Sequence, residues 1–468
     1  MDDLETYVGQ SDAFTVSLER DPLLRSTIVA IATFDKAPDW ETLVQRIDRA
    51  TRLVPTFRQT LTPSPLGLAP PRWTVDPDFD LAFHLRRIQA PPPKTLEAVM
   101  EIARTEGMEA FDPVRPLWQL TLVEEMTEGR AAIIMKVHHA LTDGIGGVQI
   151  IAHIVDLEEG PVEIAEMPPA PTARARKPFA AWRDAISYDL GHVAGLVKKQ
   201  VTSLPKNATK AAKDPLGTAA DTVTTGTAIA RFVRPVTSTK SNLMTGRRLQ
   251  WQFTALEVEL DALKAGAKKA EGTLNDGFIG AIAGGLHRYH QVHDSPVDAL
   301  RLTMPISLRT EGDAEGGNHI TLVRFEVPLN IEDPIERMQA IGAKCTELRN
   351  DPALPWSETV AGVLNLLPIS ITAGMLKNVD FLASNVPGFG LPVYAAGALL
   401  TGFYPFGPTM GSAANITLMS YRNSCCIGVN TDAGAVPDPE VLTQCLVDGF
   451  EEILDLGGSH TPVAIVKT

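Results

Sequence analysis

The chain carries one pattern twice. Short β-rich runs alternate with helix-periodic runs up to about Gly160, the alternation stops, and it resumes near Arg247 and continues to Thr468. A strand run and a one-faced helix bury their apolar sides against each other, so repeated alternation predicts α/β layers and argues against an all-helical or all-β fold. In the first stretch STIVAIATF (Ser26 to Phe34) reads as a strand and DWETLVQRIDRATRLV (Asp39 to Val54) as a helix with Asp39 at its N-cap. TLEAVMEIARTEGM repeats the capped pattern from Thr95, and LWQLTLVEE and AAIIMKVHH read as a hairpin across MTEGR. In the second stretch RLQWQFTALE, LRLTMPISLR, ITLVRFEVPL, DFLASNV, ANITLMSY and CCIGVNTD read as strands, with helices at DALKAGAKKAEG, TLNDGFIGAIAGGLHRYHQ and from about Asp438.

Between the two stretches the composition changes. Residues 166 to 245 open with PPAPTARARKP, lack a sustained apolar face, and hold 12 basic against 5 acidic side chains. That is a net +7 inside a chain of net charge -14, which leaves -21 on the rest. The organisation expected is therefore an α/β half over 1–165, a basic connector over 166–245 with some helix near PFAAWRDAISYDLGHVAGLVKKQV, and a second α/β half over 246–468. A site between the halves is the place to look for a ligand. The connector is either a solvated tether or a basic surface for anionic lipid headgroups or a phosphorylated cofactor. The acidic remainder repels phosphate backbones and argues against nucleic-acid binding.

The polar start MDDLETYVGQ lacks the basic and apolar regions of a secretory signal, which predicts an intracellular, cytoplasmic protein. Cys345, Cys425, Cys426 and Cys445 follow no metal or disulfide spacing and read as buried thiols. The longest apolar run, Val360 to Leu376, is broken by Asn365, Pro368, Ser370 and Thr372. It reads as a buried or lipid-facing helix, with peripheral membrane contact rather than a span.

The sharpest chemical feature is KVHHALTDGIGG, Lys136 to Gly147. If strand geometry holds to its end, Ile133, Met135, Val137 and His139 share the more apolar face while Ile134, Lys136 and His138 share the other. A histidine at a strand terminus, followed by a polar turn and facing a cleft, is suited to general-base work because its pKa lies near neutrality. Asp143 is placed to order the turn, pair with an arginine or orient a ring nitrogen, and Gly144, Gly146 and Gly147 allow close approach of a ligand. Taken by themselves two histidines and an aspartate are weak evidence, since an HH pair on a strand is more often an ordinary half-buried pair than a catalytic one. A metal site is disfavoured, since His287, His290 and His293 sweep around a helix and read as its solvated end. There is no GxSxG elbow and no P-loop.

HHALTDG resembles the HHxxxDG signature of the coenzyme A-dependent acyltransferase superfamily. Five further segments narrow the likeness: RPLWQLTLVE with Trp118, LNDGFIGAIAGGL with Asn275 and Asp276, MPISLR at Pro305 to Arg309, GGNHITLVRFEVPL from Gly316, and SNVPG with Ser384 and Asn385. In this order, over essentially the whole chain, they resemble the bacterial wax ester synthase/diacylglycerol acyltransferase family. The resemblance implies two chloramphenicol-acetyltransferase-like α/β domains with mixed sheets, joined by a long, partly helical crossover, and an active site in a tunnel between them. It implies transfer of a fatty acyl group from acyl-CoA, a co-substrate rather than a tightly bound cofactor, to diacylglycerol or a long-chain alcohol. No metal is implied.

Carried over by position, His139 is the proton acceptor, His138 a neighbour, and Asp143 chiefly structural. Gly144 leaves room for the thioester arm. Asn275 assists at the reacting carbonyl or caps its helix, and Asp276 belongs to the same substrate-facing motif. Trp118 walls the tunnel, and Ser384 and Asn385 line it or stabilise a turn. The chain departs from the family at DPLLRSTI, which lacks a histidine-containing segment common there, and at Phe389, where a second proline is usual. Other readings within reach are a relative acylating a specialised lipid or polyketide, and a non-catalytic lipid binder of the same fold. Peripheral placement at the inner face of a membrane or on a lipid droplet follows from the lipid substrates.

Overall fold

The computed structural model describes residues 6–64, 69–160, 163–173, 186, 188, 236–307, 320–351, 354, 361–362, 364–365 and 369–467. In the first half these form α1 (Gln10–Leu18), β1 (Thr27–Phe34), α2 (Trp40–Leu53), β2 (Gln59–Thr62), β3 (Arg72–Val75) and β4 (Leu85–Gln89). They continue as α3 (Leu96–Met108), β5 (Trp118–Glu124), β6 (Ala131–His138), α4 (Gly144–Ile151) and β7 (Val155–Asp156). The second half adds β8 (Trp251–Glu259), α5 (Leu260–Lys269), α6 (Leu274–Val292), β9 (Ala299–Ser307), β10 (Ile320–Pro328), α7 (Pro334–Arg349) and α8 (Ile369–Leu376). It ends with β11 (Phe381–Val386), β12 (Tyr394–Ala395), β13 (Ala398–Phe406), β14 (Ala414–Tyr421), β15 (Ser424–Asp432), α9 (Pro439–Gly457) and β16 (Ala464–Ile465).

Local chemistry accounts for most of these boundaries. Asp39 accepts the Thr42 amide at 2.9 Å and starts α2, whose Leu43, Ile47 and Ala50 recur at helical spacing and are buried. Thr273 and Asp276 form a reciprocal capping box at the start of α6. The β5–β6 hairpin pairs Trp118 with Val137 and Leu120 with Met135, as its alternation predicts.

Two seven-stranded mixed sheets result, ordered β4-β5-β6-β1-β13-β12-β7 and β10-β9-β11-β14-β15-β8-β16. Parallel pairing occurs at β4/β5 in the first, and at β11/β9 and β11/β14 in the second. This is the expected α/β architecture of two mixed-sheet halves, with one feature that strand-by-strand reading does not contain. β12 and β13, from residues 394–406, lie in the first sheet, where β13 runs antiparallel to β1 with Ala30 opposite Pro405. The halves are therefore interlaced: the segment 246–468 gives two strands to the sheet of the segment 1–165.

The donated strand also joins the sheets face to face. Tyr404 hydrogen-bonds Glu257 of β8, the Phe403 amide donates to Cys426 Sγ at 3.5 Å, and Phe406 stacks on Phe253 at 4.1 Å between centroids. Gly428 of β15 lies so close that a Cβ there would sit 1.9 Å from the Pro405 carbonyl oxygen.

Most of the basic connector lies outside the described residues, as does most of the helix expected near residues 178–201. Its start runs along α2, where Arg49 and Arg52 donate to the carbonyls of Glu166 and Pro168 at 3.3 and 3.0 Å. At its end the buried Asp380 carboxylate accepts the Lys240 and Ser241 amides. His290 is not solvated as the sequence suggested. It is buried, with Nε2 2.9 Å from Ser241 Oγ, because the returning connector covers this end of α6. Of the apolar run Val360–Leu376, α8 is described, and Ala373 buries against Leu18 and Leu24. No helix among the described residues is long and apolar enough to cross a membrane. All four cysteines are free and buried.

Candidate active site

β6 ends at His138, and the chain then turns sharply into α4. The His139 amide donates to the Ser26 carbonyl at 2.9 Å, the Leu141 amide to the His138 carbonyl at 2.9 Å, and the Ala140 amide to His138 Nδ1 at 3.0 Å. Asp143 closes the turn as the N-cap of α4: its Oδ1 accepts the Gly146 amide at 2.7 Å and its carbonyl the Gly147 amide at 2.9 Å. A carboxylate here satisfies amides that the first helical turn leaves without partners.

The two histidines part company, as strand alternation requires. His139 lines an internal cavity, along with Met135 and Val137 from its own face of the strand. In a neutral imidazole one ring nitrogen carries the proton and the other keeps a lone pair that can accept one. Burial lowers the pKa of His139 below the ordinary histidine value, while the bond to its carbonyl and the Asp143 charge oppose that shift.

His138 faces the other side of the sheet, beside Glu19, which no sequence signal singled out. Its Nε2 lies 3.2 Å from Glu19 Oε1, off the axis of a good hydrogen bond, and the same oxygen accepts the Ser26 amide at 2.6 Å. Since Ser26 also holds the His139 amide, Glu19 braces both strands beneath the turn. Glu19 and His138 are far apart in sequence, so no spacing could have revealed this. Lys136, 1% exposed, sits beside them with Nζ 4.6 Å above the Phe111 ring, and burial brings its pKa down to about 8.

The cavity, of about 200 Å³, lies between the two sheets. Its polar wall groups include His139, Thr142, Asp143, Ser384, Asn415 and Thr417. Ser384 and Thr417 are paired across β11 and β14, and Asn415 shares their face. Asn415 Nδ2 donates to the Pro408 carbonyl at 2.8 Å and Thr417 Oγ1 to Asn415 Oδ1 at 2.8 Å. The Ser384 hydroxyl has no partner among the described residues. Trp118 walls the cavity, its indole N–H donating to the Phe57 carbonyl at 2.8 Å and its ring stacked on His84. Gly144 meets the second half directly: a Cβ there would lie 2.6 Å from Val386 Cγ2.

Three residues expected at the site lie off the cavity wall. Asn275 directs its amide at Met304 Sδ and Cys345 Sγ, 3.7 and 4.0 Å away. Asp276 Oδ2 accepts the Thr273 amide and hydroxyl, both at 2.8 Å, so its carboxylate serves the helix cap. Asn385 follows Ser384 on β11 and takes the opposite face. Among the described residues no cluster of histidine, cysteine or carboxylate groups could hold a metal ion.

Two interlaced α/β lobes that enclose an apolar cavity with a histidine in its wall define the class of two-lobed acyltransferases. The catalytic-domain model of the wax ester synthase/diacylglycerol acyltransferase family matches residues 9–278, and the C-terminal domain model matches 316–454. The chain belongs to the wax ester synthase/diacylglycerol acyltransferase family. It is 36% identical over 462 residues to a provisionally named diacylglycerol O-acyltransferase of Mycobacterium tuberculosis (strain ATCC 25618 / H37Rv), covering 98% of this chain and 94% of that one. A second such protein of the same strain is 28% identical over 451 residues, 92% of each chain. Among solved structures, the wax ester synthase/diacylglycerol acyltransferase of Marinobacter aquaeolei VT8 shares the fold with a TM-score of 0.64 at 20% identity, covering 97% of this chain and 100% of that one. The first condensation domain of the CDA synthetase aligns with a TM-score of 0.61 at 14% identity, over 99% and 98% of the two chains.

Proposed function

We propose that this protein transfers a long-chain fatty acyl group from acyl-CoA to the free hydroxyl of diacylglycerol, forming triacylglycerol, with long-chain alcohols as alternative acceptors forming wax esters. The observation that carries the reading is the placement of His139 in the wall of an apolar cavity between the lobes. An alcohol is a poor nucleophile at neutral pH. In this mechanism His139 takes its proton as the oxygen attacks the thioester carbonyl, and the tetrahedral intermediate then expels the CoA thiolate, which takes the proton back from the imidazolium. One C–O bond forms and one C–S bond breaks, with no covalent enzyme intermediate. The test is product analysis of the purified protein with palmitoyl-CoA and either diacylglycerol or hexadecanol; absence of both ester products and of free CoA would sink it.

The oxyanion needs a donor. Because the Asn275 amide is directed at two sulfur atoms, we assign this role to the Ser384 hydroxyl, which is uncommitted and on the opposite wall. Ser384→Ala is expected to lower kcat by about 10² to 10³, whereas Asn275→Ala should leave kcat within about threefold. Steady-state kinetics of the two variants check this, and the reverse ranking would return the role to Asn275.

A base must be neutral to act. Burial lowers the pKa of His139, so its neutral form persists to more acid pH than for a free imidazole. The pH profile of kcat/KM should be flat through neutrality and fall only below the ordinary histidine value of about 6.5. A limb descending above that value would contradict the assignment.

Both lipid substrates partition into membranes or droplets, and we place the protein peripherally at such a surface, with the basic connector as its contact. Neutralising Arg174, Arg176 and Lys177 together should weaken binding to anionic liposomes, and unchanged binding would make the segment a plain tether.

A further inference from the structure

The cavity has a dead-end arm whose depth can be read from strand register. On the face of the first sheet that carries His139, side chains form transverse rows: Trp118, Val137 and Ile28, then Leu120, Met135, Ala30 and Pro405, then Leu122, Ile133, Ala32 and Phe403. The cavity touches every member of the first two rows, but of the third only Phe403. Leu122, Ile133 and Ala32 therefore close its end. Across from the sheet the arm is roofed by Ile47 and Ala50 of α2 and by Phe57. Its polar lining is little: the Thr51 hydroxyl is already spent on the Asp48 carbonyl and Arg58, and Gln119, paired with Lys136, belongs to the other face of the sheet. The groups suited to chemistry stand at the open end, on the His139 turn and the facing strands. From His139 to Met135 is four residues, about 13 Å at the rise of a β-strand.

We propose that this arm binds a linear alkyl chain, that its depth sets the preferred chain length, and that Ala30 is a specificity-determining residue. An apolar arm with reactive groups only at its mouth suits an unbranched hydrocarbon whose ester-forming carbon stays at His139. Ala30 stands in the second row between Met135 and Pro405 and lines the arm, so a larger side chain there would take up room in it. The proposal rests on the acyltransferase reading for its kinetic test but not for its binding test. The chain belongs to the acyl donor or to the long-chain alcohol, and the experiment separates these sources.

In the full-length protein, Ala30→Leu should lower kcat/KM for hexadecyl chains by about tenfold or more relative to octyl chains, the scale on which a hydrophobic pocket discriminates by size. Ile133→Ala, which opens the floor, should shift the preference toward longer chains. Octanoyl-, dodecanoyl- and hexadecanoyl-CoA are compared with a fixed acceptor, and octanol, dodecanol and hexadecanol with a fixed donor. A shift confined to the donor series places the acyl group in the arm, and one confined to the acceptor series places the alcohol there. Chain-length profiles that match the wild type in both series, for both variants, would overturn the proposal. Equilibrium binding of radiolabelled palmitate to wild type and Ala30→Leu is measured alongside, without turnover. If the wild type makes no ester, the acyltransferase reading fails, whereas the arm stands on weaker palmitate binding by the variant and falls on equal binding.

Discussion

Replacing His139 by alanine is expected to reduce CoA release from palmitoyl-CoA by about 10² to 10⁴, with either diacylglycerol or hexadecanol as acceptor, the usual contribution of a positioned general base. The thermal midpoint should stay close to that of the wild type, since His139 is half-buried at a cavity wall and its main-chain bond to Ser26 survives the substitution. His138→Ala is the informative contrast. That ring is buried on the other face, where Nδ1 accepts the Ala140 amide and Nε2 stands beside Glu19, so its loss should act on the turn and on stability. Equal turnover by His139→Ala and wild type would remove the base from the mechanism.

The second large effect concerns the junction of the lobes. Gly428→Ala should cost about 3 kcal/mol or more, at the upper end for overpacking a close contact, and lower the thermal midpoint by roughly 3 to 6 °C. The added carbon would sit 1.9 Å from the Pro405 carbonyl oxygen and 2.7 Å from its carbon. Both sides of that contact are main chain in hydrogen-bonded sheets, so neither yields without loss of ladder bonds. Activity should fall with it, because β13 supplies Phe403 and Pro405 to the cavity wall. Gly390→Ala is the control: nothing lies within 4 Å of its added carbon, and its melting curve should be unchanged. A Gly428→Ala protein that melts like the wild type would show that the sheets are not in the contact described.

Much of the architecture was legible because it is local. Alternation marked β1, β5 and β6, the Asp39 cap and helical spacing marked α2, and the HHALTDG run put His139 at the end of a strand with Asp143 at a helix start. Parity along the strand was enough to separate His139 from His138. Residues 394–406 were a different matter. YAAGALLTGFYPF was not read as strand at all, and its partners in β1 lie more than 350 residues away.

The same limit explains the site. Asn275 and Asp276 stand together in sequence in a substrate-facing motif, yet one is held among sulfur atoms and the other by its own helix cap. Ser384 and Asn385 are neighbours, and only the first reaches the cavity. Glu19 carried no signal. The amino-acid pattern was sufficient for the type of each element, the face of each strand and the residue best suited to accept a proton, since these depend on neighbours a few positions apart. The interlacing of the sheets, the closed arm beneath Ala30 and the choice among nearby polar groups were decided by tertiary structure, because each depends on packing between side chains whose separation in the chain leaves no periodic trace.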